Sequence, residues 1–130
     1  MQKITTFLMF DGKAEEAMSL YLSLFEDSRL LSIERYDESG PGAAGTVMHA
    51  RFALNGQEFM CIDSSVKHAF TFTPAMSLFV NCGSAEELER LFGQLSEGGS
   101  VLMPPGSYGF SERFTWVADR YGVSWQLNLP

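Results

Sequence analysis

The sequence predicts an α+β fold made of two βαβββ modules that form curled mixed sheets, and three observations carry that prediction. The first is an internal repeat. Phe7–Leu24, FLMFDGKAEEAMSLYLSL, is answered by Leu78–Leu95, LFVNCGSAEELERLFGQL, with Ala14-Glu15-Glu16 recurring as Ala85-Glu86-Glu87 71 positions later. At that offset Gly12 falls on Gly83, Leu20 on Leu91 and Leu24 on Leu95. Each copy runs from a short apolar stretch through a glycine into an acidic, amphipathic segment, which is a strand feeding a helix. The second observation is Asn55-Gly56 between two apolar runs, a strong hairpin signal because a type I′ turn needs positive φ at both central residues. The third is Tyr121-Gly122, which stands at the matching place in the second half. The order βαβββ therefore occurs twice, as a first module over 1–69 and a second over 70–130, expected to form one compact unit.

The elements follow in order. Lys3–Phe10 is apolar and bounded by Asp11-Gly12, so it reads as a strand. In Lys13–Phe25 the apolar residues Ala14, Ala17, Met18, Tyr21, Leu24 and Phe25 recur at helical spacing, and Glu15 and Glu16 sit in the first turn where they complement the helix dipole. Leu30–Tyr36 reads as a second strand, and Glu38–Gly45, ESGPGAAG, as a mobile loop. The hairpin Val47–Leu54 and Gln57–Asp63 comes next. Strict alternation puts Met48, Ala50, Phe52 and Leu54 under the helix and Val47, His49 and Arg51 on the other face. Phe70–Pro74 links the modules. The scheme then repeats with strand Met76–Cys82, helix Ser84–Leu95, a turn at Glu97-Gly98-Gly99 and a short strand Ser100–Met103. A second loop, Pro104–Gly109, precedes the last hairpin, Phe114–Asp119 and Val123–Leu129. Ser84 with Glu87 matches a capping box at the second helix. The two Gly/Pro loops occupy matching places and could serve as lids.

Composition limits the partners. The chain has 130 residues, 45% of them hydrophobic and 19% charged, with 9 basic against 16 acidic side chains and a net charge of −7. Nucleic acid and anionic membrane surfaces are therefore poor partners, since both are met by a basic face. No apolar run approaches the ~18 residues of a membrane span. The opening MQKITTFLMFDG lacks the apolar stretch and cleavage site of a secretory signal, so a cytoplasmic protein is expected. Cys61 and Cys82 sit in apolar surroundings without metal-ligand spacing and read as two reduced, buried thiols.

Four phrases, FDGKAEEAMSLY, VMHARFALNGQEFMCID, FTPAMSLFVNC and DRYGVSWQ, span nearly the whole chain and resemble the PhnB-like branch of the glyoxalase, bleomycin-resistance and extradiol dioxygenase superfamily, the vicinal oxygen chelate proteins. Members of this branch are often labelled 3-demethylubiquinone methyltransferases. The chain shows no glycine-rich strand–turn–helix loop of the kind that holds a methyl-donor nucleotide, so that label is discounted. The resemblance implies a homodimer, and a divalent metal held by side chains of the first and last strands of the modules. Counting four residues from Gly56 and Gly122 reaches Met60 and Gln126. The first-strand positions, to within one residue, are Thr6 and Ser77. Thr, Met, Ser and Gln are poor ligands for a hard divalent ion, so no cofactor and no standard metal site is expected.

Candidate chemistry rests on few residues. His49 could act as a general base with Glu58 on the neighbouring strand. Arg51 and Arg113 could fork onto a small anion, although each also has a carboxylate neighbour, Glu58 or Glu112, to pair with. Thr115 and Gln126 complete the set expected to line a sheet cup, with Trp116 or Phe59 as aromatic walls. His68, alone in a loop, is given no role. Two readings follow: a small-molecule binding protein without the usual metal, suited to an anion, or a lyase, isomerase or transferase acting on a small oxygenated metabolite through a metal held unconventionally by His49, Glu58 and Gln126.

Overall fold

The structure, a computed structural model, describes residues 2–130. It divides at Ala69/Phe70 into two units, each a four-stranded mixed sheet with one helix. Unit 1 runs β1 (Thr6–Phe10), α1 (Ala14–Leu24), β2 (Ser28–Arg35), β3 (Val47–Leu54) and β4 (Gln57–Asp63). Unit 2 repeats the order with β5 (Ser77–Asn81), α2 (Ala85–Ser96), β6 (Ser100–Gly106), β7 (Arg113–Ala118) and β8 (Ser124–Leu129). The strands lie in the orders β1-β4-β3-β2 and β5-β8-β7-β6. Within each sheet the first strand runs parallel to the last and the remaining pairs are antiparallel.

Each helix covers one face of its own sheet. In unit 1, Ala17, Met18, Tyr21 and Leu24 are buried against a face built from Leu8, Phe10, Ala50, Phe52, Leu54, Phe59 and Cys61, with Phe52 stacked on Phe59 at 5.5 Å. In unit 2 the stripe Leu88, Leu91, Leu95 packs over Val117, Trp125 and Leu127. These stripes are the apolar periodicities of the sequence, and burying them is what holds each helix down.

The helix starts are satisfied differently. Ser84 Oγ accepts the Glu87 N–H at 3.1 Å, while the Glu87 carboxylate reaches back to the Gly83 N–H at 2.7 Å. At α1 the preceding residue is Lys13, whose side chain caps nothing. The acceptor comes instead from β4: buried Asp63 takes the Ala14 N–H through Oδ1 and the Val47 N–H through Oδ2, both at 2.9 Å. One carboxylate thus ties helix start, hairpin start and strand end together.

Three expectations are corrected. Val47 is buried and Met48 is 40% exposed, the reverse of strict alternation. The register slips between Glu34/His49 and Arg35/Val47, so Met48 is the extra residue of a bulge and the parity changes at that point. The loop after β2 is closed down rather than loose. Tyr36 and Thr46 extend the ladder, the Tyr36 hydroxyl donates to the Asp63 carbonyl at 3.1 Å, and Gly42 lies so close to the Tyr36 ring that a Cβ there would sit 2.5 Å from it. Finally, β6 continues through Pro104 and Pro105 to Gly106. It is an edge strand, where prolines are tolerated, and its regular pairing with β7 is interrupted between Met103 and Gly106, across the prolines.

Candidate functional site

The face of each sheet opposite its helix carries the residues that could meet a ligand. On β4 the face alternates Glu58, Met60, Ile62, and Met60 is flanked in register by Phe7 of β1 and Arg51 of β3. On β8 the matching residue is Gln126, flanked by Phe79 of β5 and Trp116 of β7. Phe7 therefore corresponds to Phe79, Met60 to Gln126, and Arg51 to Trp116. Phe7 and Phe79 are 49% and 55% exposed, so these faces are reachable.

This register corrects the first-strand position. Thr6 pairs with Phe59 and so belongs to the helix-covered face, leaving Phe7 beside Met60. Ser77 lies on the open face but one step along from Phe79, the residue opposite Gln126. The residues at the places where the fold family implies a divalent ion are thus Phe7, Met60, Phe79 and Gln126. Two phenyl rings, a thioether and one neutral amide do not fit such an ion, which takes carboxylate or imidazole donors. Among the described residues no group of three His, Cys, Asp or Glu side chains converges elsewhere.

In unit 1 the structure joins Arg51 and Glu58. Arg51 Nε lies 3.1 Å from one Glu58 oxygen and Nη2 2.8 Å from the other, a forked pair across the hairpin. Hydrogen bonding and charge from Arg51 hold the Glu58 carboxyl below its usual range and raise the Arg51 guanidinium in turn. Gln2 brackets the same residue, its amide pairing with the N–H and C=O of Glu58 at 3.2 and 3.0 Å. His49 shares the face but stands opposite Glu34 of β2, and the Glu58 oxygens are given to Arg51. The structure therefore does not build the His49–Glu58 dyad.

In unit 2 two of the expected residues lie on the wrong face. Thr115 pairs with Leu127 on the helix side, is fully buried, and donates to the Met103 carbonyl at 2.8 Å. Arg113, on the same side, binds Glu89 of α2, with Nε at 2.7 Å, rather than Glu112. Phe59, too, is buried beneath α1. Trp116 does flank Gln126, and here sequence reasoning missed a network. Trp116 Nε1 donates to Ser124 Oγ at 2.8 Å, Ser124 and Ser77 hydroxyls meet at 2.6 Å, and Gln126 Nε2 donates to Ser77 Oγ at 3.1 Å. The signal was available in the polar residues Ser124, Gln126 and Asn128 alternating along one strand.

His68 lies 3.0 Å from Ser64 Oγ, a spacing that would suit a nucleophile and its base. The Ser64 hydroxyl, however, donates to the Val66 carbonyl at 2.6 Å and accepts the Val66 N–H at 3.1 Å, which makes it the pin of a tight turn. No helix of the described residues is long and apolar enough to cross a membrane.

Comparison with known proteins agrees with this geometry. The family model described as 3-demethylubiquinone-9 3-methyltransferase matches residues 2–128. A Bacillus cereus protein described as a 3-demethylubiquinone-9 3-methyltransferase, PhnB protein, is 65% identical, with TM-score 0.98 over 99% of this chain and 100% of that one. A Pseudomonas aeruginosa protein is 31% identical, with TM-score 0.86 over 99% and 98%. The fosfomycin resistance protein FosX of Listeria monocytogenes, 9% identical with TM-score 0.68 over 100% and 94%, shares the fold. None of the curated proteins matches. The chain belongs to the 3-demethylubiquinone-9 3-methyltransferase family, a PhnB-like branch of the vicinal oxygen chelate superfamily.

Proposed function

We propose that the protein binds a small molecule on the open sheet faces without the divalent metal site usual in its superfamily. The observation that carries this reading is the donor set Phe7, Met60, Phe79 and Gln126 at the register positions beside the last strands. In unit 1 the contacts would come from Arg51, whose guanidinium keeps N–H donors beyond the two given to Glu58 and so can still meet an anionic oxygen, with His49 two residues away on the same face. In unit 2 they would come from Gln126. Arg113 and Thr115 are spent on the helix side and take no part.

The family label speaks of methyl transfer, and the fold gives it no support. Each sheet has a single parallel pair and no doubly wound crevice at which a nucleotide donor would sit. The FosX structure is described as a complex with Mn(II) and a dihydroxypropylphosphonic acid. An anion held here would rely on a guanidinium rather than on such an ion.

The test is elemental analysis of untagged protein, followed by thermal shifts with Mn, Ni and Zn. We expect no stoichiometric metal and no rise in melting temperature. Stoichiometric metal, or a rise abolished by Gln126→Ala or His49→Ala, would overturn the reading. A small-anion screen should then show binding that weakens in Arg51→Ala.

A further inference from the structure

We infer that the open face of unit 2 takes a neutral, flat aromatic ligand bearing an amide or lactam edge; this deepens the small-molecule reading above and rests on it. The strands put no charged side chain on this face, and the nearest along the chain is the exposed carboxylate of Glu112 at its margin. Strands β5, β8 and β7 present to it only Ser, Asn, Gln, Phe, Trp and Ala side chains, in contrast to the ion pair on the corresponding face of unit 1. An anion placed there would be desolvated with no cation to meet it.

The hydrogen-bond ladder leaves one donor and one acceptor open. Ser124 is 1% exposed, so its hydroxyl proton must be used inside the protein, and the neighbour at hand is Ser77 Oγ at 2.6 Å. Ser77 Oγ also accepts from Gln126 Nε2, and its own proton is then left over, on a residue that is only partly buried. At the other end, Gln126 Oε1 receives no donor from the described residues. A hydroxyl proton and the carbonyl oxygen of the amide hydrogen-bonded to that hydroxyl match the C=O and N–H of a cis amide.

Aromatic rings flank the ladder. Phe79 and Trp116 stand on either side of Gln126 in register. Phe79 adjoins Phe114 at 6.4 Å, and Phe114 is covered by Phe110 at 4.9 Å and Tyr108 at 6.1 Å. Phe110 remains 64% exposed and Tyr108 38%, their rings stacked on each other and Tyr108 fixed by its hydroxyl to the Pro104 carbonyl. Exposed rings held in place can receive another ring by stacking at little entropic cost.

Calorimetric titration of the intact protein with 2-quinolone, 1-isoquinolinone and 4-quinazolinone tests this, with N-methyl-2-quinolone and naphthalene-2-carboxylate as controls. At least one lactam should bind, and N-methylation, which removes the proton offered to Gln126, should weaken binding about tenfold or more. Phe79→Ala and Gln126→Leu should weaken it similarly, and the N-methyl comparison stands even if a variant folds poorly. Binding that ignores both N-methylation and Phe79→Ala would overturn the inference, as would naphthalene-2-carboxylate binding as well as the lactams. If none of the lactams binds while an anion binds through Arg51, this inference fails and the broader reading survives. A stoichiometric metal would instead bring down the broader reading.

Discussion

Gly99 is dictated by space. A Cβ there would lie 2.1 Å from the Ala118 carbonyl oxygen and 2.9 Å from the Asp119 carbonyl carbon, both backbone atoms that cannot swing aside. Gly99→Ala should lower unfolding free energy by about 2–3 kcal/mol in urea titrations. Gly93, exposed on α2 with nothing near its missing Cβ, is the contrast: Gly93→Ala should stabilise by about 0.5–1 kcal/mol. An unaltered midpoint for Gly99→Ala would refute the assignment. The thiols give a second prediction at this scale. Burial pushes Cys61 up to about 12 and Cys82 up to about 11. Since the thiolate is the nucleophile, both should react with Ellman's reagent at pH 8 only on the timescale of unfolding. Rapid labelling of either in the folded protein would show that its strand opens locally. The sequence signalled buried thiols correctly, but it could not show Gly99, because the clash comes from a strand that follows nineteen or more residues later.

At the scale of elements, the helices and hairpins were legible because their signals are local. The stripe Leu88, Leu91, Leu95 and the Asn55-Gly56 turn, with φ of 51° and 81°, are cases of this kind. Faces were legible only as far as alternation runs unbroken. One bulge exchanged Val47 and Met48, and one step of register exchanged Thr6 and Phe7. The repeat offset taken from the helices does not carry through the turns before them: Gly12 has φ of 81°, whereas its counterpart Gly83 has no positive φ. Arg51 and Glu58 were found because a hairpin fixes its own register; Arg113 was misassigned because its partner Glu89 comes from a helix. The hairpin pair has a measurable signature. With the Glu58 carboxyl depressed in the folded state, its stabilisation is present above the unfolded value near 4.5 and is lost as pH falls through the lower folded value. Glu58→Gln should therefore flatten the loss of stability between about pH 5 and 3. An identical acid slope in both proteins would exclude the pair as a contributor.

For the whole molecule, the repeat declared the architecture before any detail, and the same architecture suggests assembly. Leu30 of β2, Met48 of β3, and Val101 and Leu102 of β6 leave 40–46% of their surface exposed. With the homodimer implied by family resemblance, this predicts sedimentation at twice the chain mass of 14.5 kDa at tens of micromolar. A single 14.5 kDa species at that concentration would count against it.

Of the four edge strands, β6 and β2 differ in how they meet solvent. At β6, Pro104 and Pro105 offer no N–H to an incoming strand, and the register is broken on the way to Gly106. At β2, a bulge at Leu31 and the charges of Arg29, Glu34 and Arg35 interrupt what would otherwise be a flat row of donors and acceptors. Both margins are therefore poor templates for cross-β growth, and replacing the proline pair with β-branched residues would remove one of the protections of β6.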